Sequence, residues 1–161
     1  MSALLEVRGI SKSFRGLRAV SDASFEVPKG AISALIALKG AGKTTCFNVI
    51  AGVYRPDSGS IHFGGVPIHG LRPDEVCGAG IGRTFQIVKP FAGLTVLENV
   101  VVGALKREPS VSAAEKRAAE IMQKLGLGSR SSQPASSLTL PDRKRLEVAR
   151  ALATRPRLLL L

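Results

Sequence analysis

The chain has 161 residues, 45% hydrophobic and 22% charged, which suits one ordinary globular domain or one with a small inserted subdomain and excludes disorder and a collagen-like rod. Its 23 Lys and Arg against 12 Asp and Glu give a net charge of +11, a balance that favours anionic partners such as nucleotides, nucleic acid or lipid headgroups. Cys46 and Cys77 are too few for a disulfide framework and point to a reducing compartment, and there is neither an apolar run of about 18 residues to cross a membrane nor a signal-peptide pattern at the N-terminus.

The first third reads as strands. Leu4 to Val7 is a short apolar run, and Ala23 to Val27 alternates apolar and polar as a half-buried strand does. Pro28-Lys29-Gly30 turns the chain into Ala31 to Leu38, whose short, mostly apolar run predicts a strand buried on both faces. A glycine-rich turn, Lys39-Gly40-Ala41-Gly42, leads into a helix over Lys43 to Ala51 that Gly52 stops.

The strongest chemistry lies at that turn. Gly40-Ala41-Gly42-Lys43-Thr44-Thr45 stands between a predicted buried strand and a helix start, the context a phosphate-binding loop requires. Small residues let successive backbone N–H groups curl around phosphate oxygens, and the helix N-terminus adds partial positive charge. Lys43 reaches the β- and γ-phosphates, the Thr44 hydroxyl coordinates Mg²⁺, and Thr45 reinforces the loop or touches the α-phosphate. The full phosphate-loop pattern has Gly where this chain has Ala37, and a side chain there is costly if that residue needs positive φ. Leu38 and Lys39 crowd the loop entrance, and the Lys39 charge either attracts phosphate or misplaces it.

Beyond it, Pro56-Asp57-Ser58-Gly59 is a turn, and Ser60 to Phe63 with Val66 to Ile68 flank Gly64-Gly65 as a hairpin. Gly80 to Phe85 reads as a further strand. The texture then becomes helical over Leu94 to Leu105, Ser112 to Leu125 and Asp142 to Thr154, the second opening on a capping-box pattern, Ser112 to Glu115. Arg155-Pro156 ends the last helix, and Leu158 to Leu161 begins a buried strand that looks cut short.

Taken in order, the phosphate loop, Thr84-Phe85-Gln86, Leu138-Thr139-Leu140-Pro141-Asp142, Arg145 to Leu152 and the closing leucine run resemble the ATP-binding subunits of ABC transporters. Gly82 to Gln86 and Leu94 to Val100 look most like the branched-chain amino acid importers of that group. The resemblance covers essentially the whole chain. It implies an α/β fold: a phosphate-loop core with an N-terminal antiparallel β layer over residues 1–89, a helical subdomain over 90–155, and the start of the Walker B strand over 156–161. The C-terminal part of the fold, including the Walker B acidic residues, is expected to be missing. It implies that Phe14 stacks on adenine with Val20 lining the same pocket, that Gln86 reaches Mg²⁺ and the attacking water, and that Pro90 and Phe91 face a membrane partner. It also implies that Leu138 to Asp142 is the signature segment closing over ATP held by a second nucleotide-binding subunit. Thr139 keeps the family's hydroxyl, whereas Leu140 and Pro141 replace two glycines, and Pro141 removes an N–H.

The expectation is thus an ATP-binding and ATP-hydrolysing subunit, cytoplasmic and peripheral on the inner face of the membrane, working under permease subunits with ATP and Mg²⁺. Phosphoryl transfer depends on positioned charge, so the chain as it stands is expected to bind ATP weakly and to turn it over barely or not at all. Two alternatives stay open: a non-catalytic degenerate nucleotide-binding module, supported by Ala37, Leu140 and Pro141, and a basic nucleic-acid-binding protein, supported by charge alone. Nucleic acid is not the expected partner, since six Phe, one Tyr and no Trp are a thin supply of stacking platforms. Arg143, Lys144, Arg145 and Arg150 read as a solvated basic face, His62 and His69 as no metal site, and Cys46 as a small buried thiol.

Overall fold

A computed structural model of the chain describes residues 3–85 and 89–161. The fold is α/β and divides into two compact units, Met1–Ala79 and Gly80–Leu161.

In the first unit, β1 (Ala3–Phe14) and β2 (Leu17–Pro28) form an antiparallel hairpin. Arg15 and Gly16 join them, both with positive φ (47° and 84°), as a two-residue hairpin turn with the right strand twist demands. On the other edge of β1 lie β3 (Ser58–Phe63) and then β4 (Val66–Pro67), so the sheet runs β2-β1-β3-β4. Register decides its core: Leu5 opposes Phe63 and Val7 opposes Ile61, and all four are buried. Both hairpin strands run further than their apolar stretches predict, because their turn-proximal halves are mostly polar and bury only single residues, Ile10 and Val20, too few to show an alternation. α1 (Lys43–Ile50) buries Cys46, Val49 and Ile50. Burial pushes the Cys46 thiol up, in keeping with an inert side chain. α2 (Pro73–Ala79) has no counterpart in the sequence reading; at seven residues with Val76 as its buried residue it is too short to show a period.

The segment Ala31–Leu38 departs from expectation. It is not a strand and it is not buried: Ile32 is 105% exposed and Ile36 89%. A strand exists only where a neighbour completes its hydrogen-bond ladder, and the β2-β1-β3-β4 sheet does not include this segment.

In the second unit, β5 (Ile81–Arg83) pairs in parallel with β6 (Leu158–Leu160), so the closing leucines do form a strand. The pair is extended by Arg157 N donating to Gly80 O at 2.7 Å and Thr84 N to Leu160 O at 2.9 Å. The remainder is a three-helix core of α3 (Val96–Ala104), α4 (Val111–Lys124) and α5 (Leu140–Ala153). Val96, Val100 and Ala104 on α3, Ala114, Ala118 and Ile121 on α4, and Leu146, Ala149 and Ala153 on α5 recur at helical spacing and meet in one buried cluster. The predicted capping box at Ser112 is displaced: Ser110 is the N-cap of α4, its hydroxyl accepting from Ala113 N at 3.2 Å, so Ser112 lies inside the helix. The true capping box is on α3, where the Thr95 hydroxyl accepts from Glu98 N and the Glu98 carboxylate accepts from Thr95 N.

Candidate functional site

Residues 39–42 swing the chain into α1, with Ala41 N donating to Leu38 O at 3.1 Å and the first helical bond running from Cys46 N to Gly42 O at 2.8 Å. Gly42 is the N-cap, at φ 84°, and supplies no side-chain cap; α3, α4 and α5 are each capped by a hydroxyl, from Thr95, Ser110 and Thr139. The first turn of α1 holds no acidic residue either. Its leading N–H groups, on Lys43, Thr44 and Thr45, are therefore left to an external acceptor, and an anion is the acceptor that the helix field favours.

The side chains agree. Lys43 Nζ donates to Ala37 O at 2.7 Å and Leu38 O at 2.9 Å, which draws the ammonium across the loop. Thr44 is exposed, so its hydroxyl is open to a ligand. A hard oxygen donor beside a phosphate cradle fits Mg²⁺, which takes few protein ligands and keeps phosphate and water for the rest. Leu38, Lys39, Gly40 and Ala41 are exposed, and Ala37 is not among the non-glycine residues with positive φ, so its methyl group brings no left-handed strain. Gly42 cannot be replaced so freely. A Cβ there would lie 2.0 Å from Ala19 O and 3.1 Å from Val20 Cγ2. The start of α1 thus packs directly on β2, and Val20 is buried beneath it.

The same strands carry the candidate base-stacking residue. Phe14 ends β1 and is 38% exposed. Its ring meets Tyr54 edge to face, centroids 5.0 Å apart at 72°, and the Lys12 ammonium stands 5.5 Å from its centre. Tyr54 is a neighbour the sequence reading does not single out, although it is the only Tyr and follows the helix-stopping Gly52 by two residues.

In the second unit, Gln86 lies outside the described residues. The chain beyond it is tied down twice. Asn99, fully buried, accepts from Phe91 N at 2.8 Å and donates to Phe91 O at 3.1 Å and Thr95 O at 2.8 Å. Arg150 on α5 donates to Lys89 O at 3.1 Å and places its guanidinium 4.5 Å from the Phe91 ring centre. Beside it, burial pushes the Glu147 carboxyl up, opposed by the Arg150 charge. The segment Leu138–Asp142 forms the start of α5. Thr139 is its N-cap: its hydroxyl accepts from Asp142 N at 3.4 Å and donates to Asp142 Oδ2 at 2.8 Å. Asp142 is buried and paired with Arg130 at 3.0 Å and Arg145 at 3.3 Å, Leu140 is 63% exposed, and Leu138 is buried in the helical core.

A glycine turn, an uncapped helix and a lysine across the loop would serve many nucleotide-binding proteins. What decides among them is the family model for ABC transporters, which matches residues 20–161. The chain belongs to the ABC transporter ATP-binding family. It is 36% identical to the high-affinity branched-chain amino acid transport ATP-binding protein LivG of Salmonella typhimurium and of Escherichia coli, over 98% of this chain and 68% of each relative. The corresponding BraF protein of Pseudomonas aeruginosa is 34% identical over the same shares. Among solved structures, MJ1267, an ATP-binding cassette of an ABC transporter, superposes with a TM-score of 0.86 at 30% identity, covering 99% of this chain and 68% of that one. As an ABC ATP-binding subunit the chain is of a class that hydrolyses ATP, and neither the non-catalytic nor the nucleic-acid-binding alternative gains support from these relatives. Among the described residues no helix is long and apolar enough to cross a membrane, and no cluster of three or more His, Cys, Asp or Glu is present.

Proposed function

We propose that this chain binds ATP with Mg²⁺ at residues 37–45 and energises an importer for branched-chain amino acids. The uncapped N-terminus of α1, with Lys43 drawn across its loop, is the observation that carries the nucleotide reading. The 36% identity to LivG supports the substrate. In this reading the N–H groups of Lys43, Thr44 and Thr45 hold phosphate oxygens, Lys43 turns from the loop carbonyls to the β- and γ-phosphates, and Phe14 takes the adenine ring. Thr44 and Gln86 hold the metal, which supplies charge neutralisation on the β- and γ-phosphates when bound. Gln86 also orients the attacking water.

The working unit is a pair of nucleotide-binding subunits under permease subunits at the inner face of the membrane. Leu138–Asp142 lies toward the partner's nucleotide, and Pro90 and Phe91 toward the permease. ATP closes the pair to the extent that it binds the closed state better than the open one, and hydrolysis releases it. The test is uptake of radiolabelled leucine, isoleucine and valine by source cells lacking the gene. Restoration by the wild-type gene and none by a Lys43→Ala gene is expected. Unimpaired uptake in the deletion strain would refute the assignment of these substrates.

A further inference from the structure

Tyr54 is placed by two sets of bonds that join the phosphate-loop helix to the strand carrying Phe14. On one side, Val53 N and Tyr54 N both donate to Asn48 O on α1, at 2.9 and 3.3 Å. On the other, Asp57 accepts from Ser13 N at 2.6 Å and Lys12 Nζ at 3.0 Å, while its own N–H donates to Ser11 O at 2.8 Å. Those bonds hold the Asp57 carboxyl below its ordinary range. The Phe14–Tyr54 corner is therefore built before any ligand arrives. Phe14 and Tyr54 are 38% and 37% exposed, so an open aromatic corner faces solvent.

The corner also lies at a useful distance. Lys12 opposes Val20, which packs against Gly42, and Phe14 is two residues further along β1, roughly 7 Å of strand. The aromatic corner thus stands about one sugar's length along β1 from the level at which Gly42, the end of the phosphate loop, meets β2. Lys12 already stands over the Phe14 ring, so a base cannot have the whole of that ring to itself. We propose that Tyr54 is the second wall of the base site, the purine being held in the corner between the Phe14 and Tyr54 rings, where it stacks on one and turns its edge to the face of the other. This rests on the nucleotide-binding reading above and adds to it a residue that selects for a base rather than for phosphate alone.

The chain carries its own reporter, because with one Tyr and no Trp its intrinsic emission is that of Tyr54. The 161-residue chain is titrated with Mg·ATP and, separately, with Mg·tripolyphosphate, following tyrosine emission (corrected for adenine absorbance against free tyrosinamide) and heat by calorimetry. ATP is expected to quench the emission over the concentrations at which heat reports binding, and tripolyphosphate to bind without quenching. Tyr54→Ala is expected to weaken ATP about tenfold, the low end of what one stacked base contributes, and to leave tripolyphosphate unchanged, with Tyr54→Phe restoring ATP affinity. ATP binding with unmoved emission, or equal losses for both ligands in Tyr54→Ala with no rescue by Tyr54→Phe, would overturn the Tyr54 assignment while leaving the phosphate site standing. Heat from neither ligand would overturn the nucleotide reading itself, and the Tyr54 assignment with it.

Discussion

Gly40 and Gly42 flank the same loop at nearly the same backbone angle, φ 82° and 84°, yet their surroundings differ. A Cβ at Gly40 meets nothing within 4 Å, whereas one at Gly42 lies 2.0 Å from Ala19 O. Substituting alanine at either position carries the same left-handed penalty, about 1–2 kcal/mol. Alanine at position 42 must in addition part the α1 start from β2 by about 1.4 Å, the difference between 2.0 Å and the 3.4 Å at which ordinary contact begins. The atom it meets is backbone in a paired strand and cannot swing aside, so overpacking of roughly 1–3 kcal/mol is added. Gly42→Ala is therefore expected to lower Tm by at least about 2 °C more than Gly40→Ala, given the roughly 2–4 °C per kcal/mol of a chain of this length. It is also expected to lose affinity for a fluorescent ATP analogue, because the N–H groups proposed to receive phosphate move with the helix start. Melting curves followed by circular dichroism and an anisotropy titration read the two effects. Equal Tm values for the two variants would refute the close packing of Gly42 on Ala19, and with it the reason this loop ends in glycine.

Three other outcomes follow from single contacts. Leu146 is fully buried at the centre of the three-helix cluster, so Leu146→Ala is expected to cost about 2–5 kcal/mol in urea denaturation. Thr95→Ala removes the α3 capping box and is expected to cost about 1 kcal/mol, read as earlier melting with the α4 and α5 amides still protected in hydrogen exchange. Glu147 carries a carboxyl raised by burial, so in the folded state it holds its proton above the pH at which the unfolded chain releases it. It therefore weakens the fold as pH rises past the unfolded value of about 4.3, and the stability gained by Glu147→Gln over wild type is expected to grow from pH 4 to pH 7. A gain that shrinks over that range would show that the Arg150 charge outweighs burial.

The helical part of the fold is legible in the sequence because helix signals are local. Val96, Val100 and Ala104 announce a buried face four residues at a time, and α3, α4 and α5 all lie where their apolar spacing puts them. The cap of α4 is misread because Ser110 and Ser112 are both plausible N-caps and backbone geometry, not residue type, chooses between them. Strands are legible only as far as their partners are. The pairing of Leu5 with Phe63 could be inferred from two apolar runs, but nothing within Ala31–Leu38 says whether a neighbour completes its ladder. The candidate phosphate loop stands out from Gly40 to Thr45 because its residues are contiguous in sequence. The aromatic corner was only half readable, since Phe14 and Tyr54 lie forty residues apart and meet through the turn that Asp57 fastens to β1.

Two helix starts in this chain, those of α1 and α5, are candidates for phosphate contact, and their physical states differ. At α5, Thr139 and Asp142 satisfy one another, Asp142 adds a buried negative charge at the helix end, and Arg130 and Arg145 balance that charge from within the chain. Such an end is already supplied with its anion, and Pro141 removes one further donor. At α1 nothing among the described residues plays that part: there is no hydroxyl cap, no acidic side chain in the first turn, and a lysine bonded to carbonyls that compete poorly with phosphate for its charge. A missing cap costs a helix about 1 kcal/mol, and α1, at eight residues, has little propensity to offset it. The first helix is thus left unfinished where α3, α4 and α5 are closed, and the anion proposed at residues 42–45 would complete it. Phosphate binding by this chain is therefore expected to protect the α1 amides from exchange and leave those at the start of α5 unchanged.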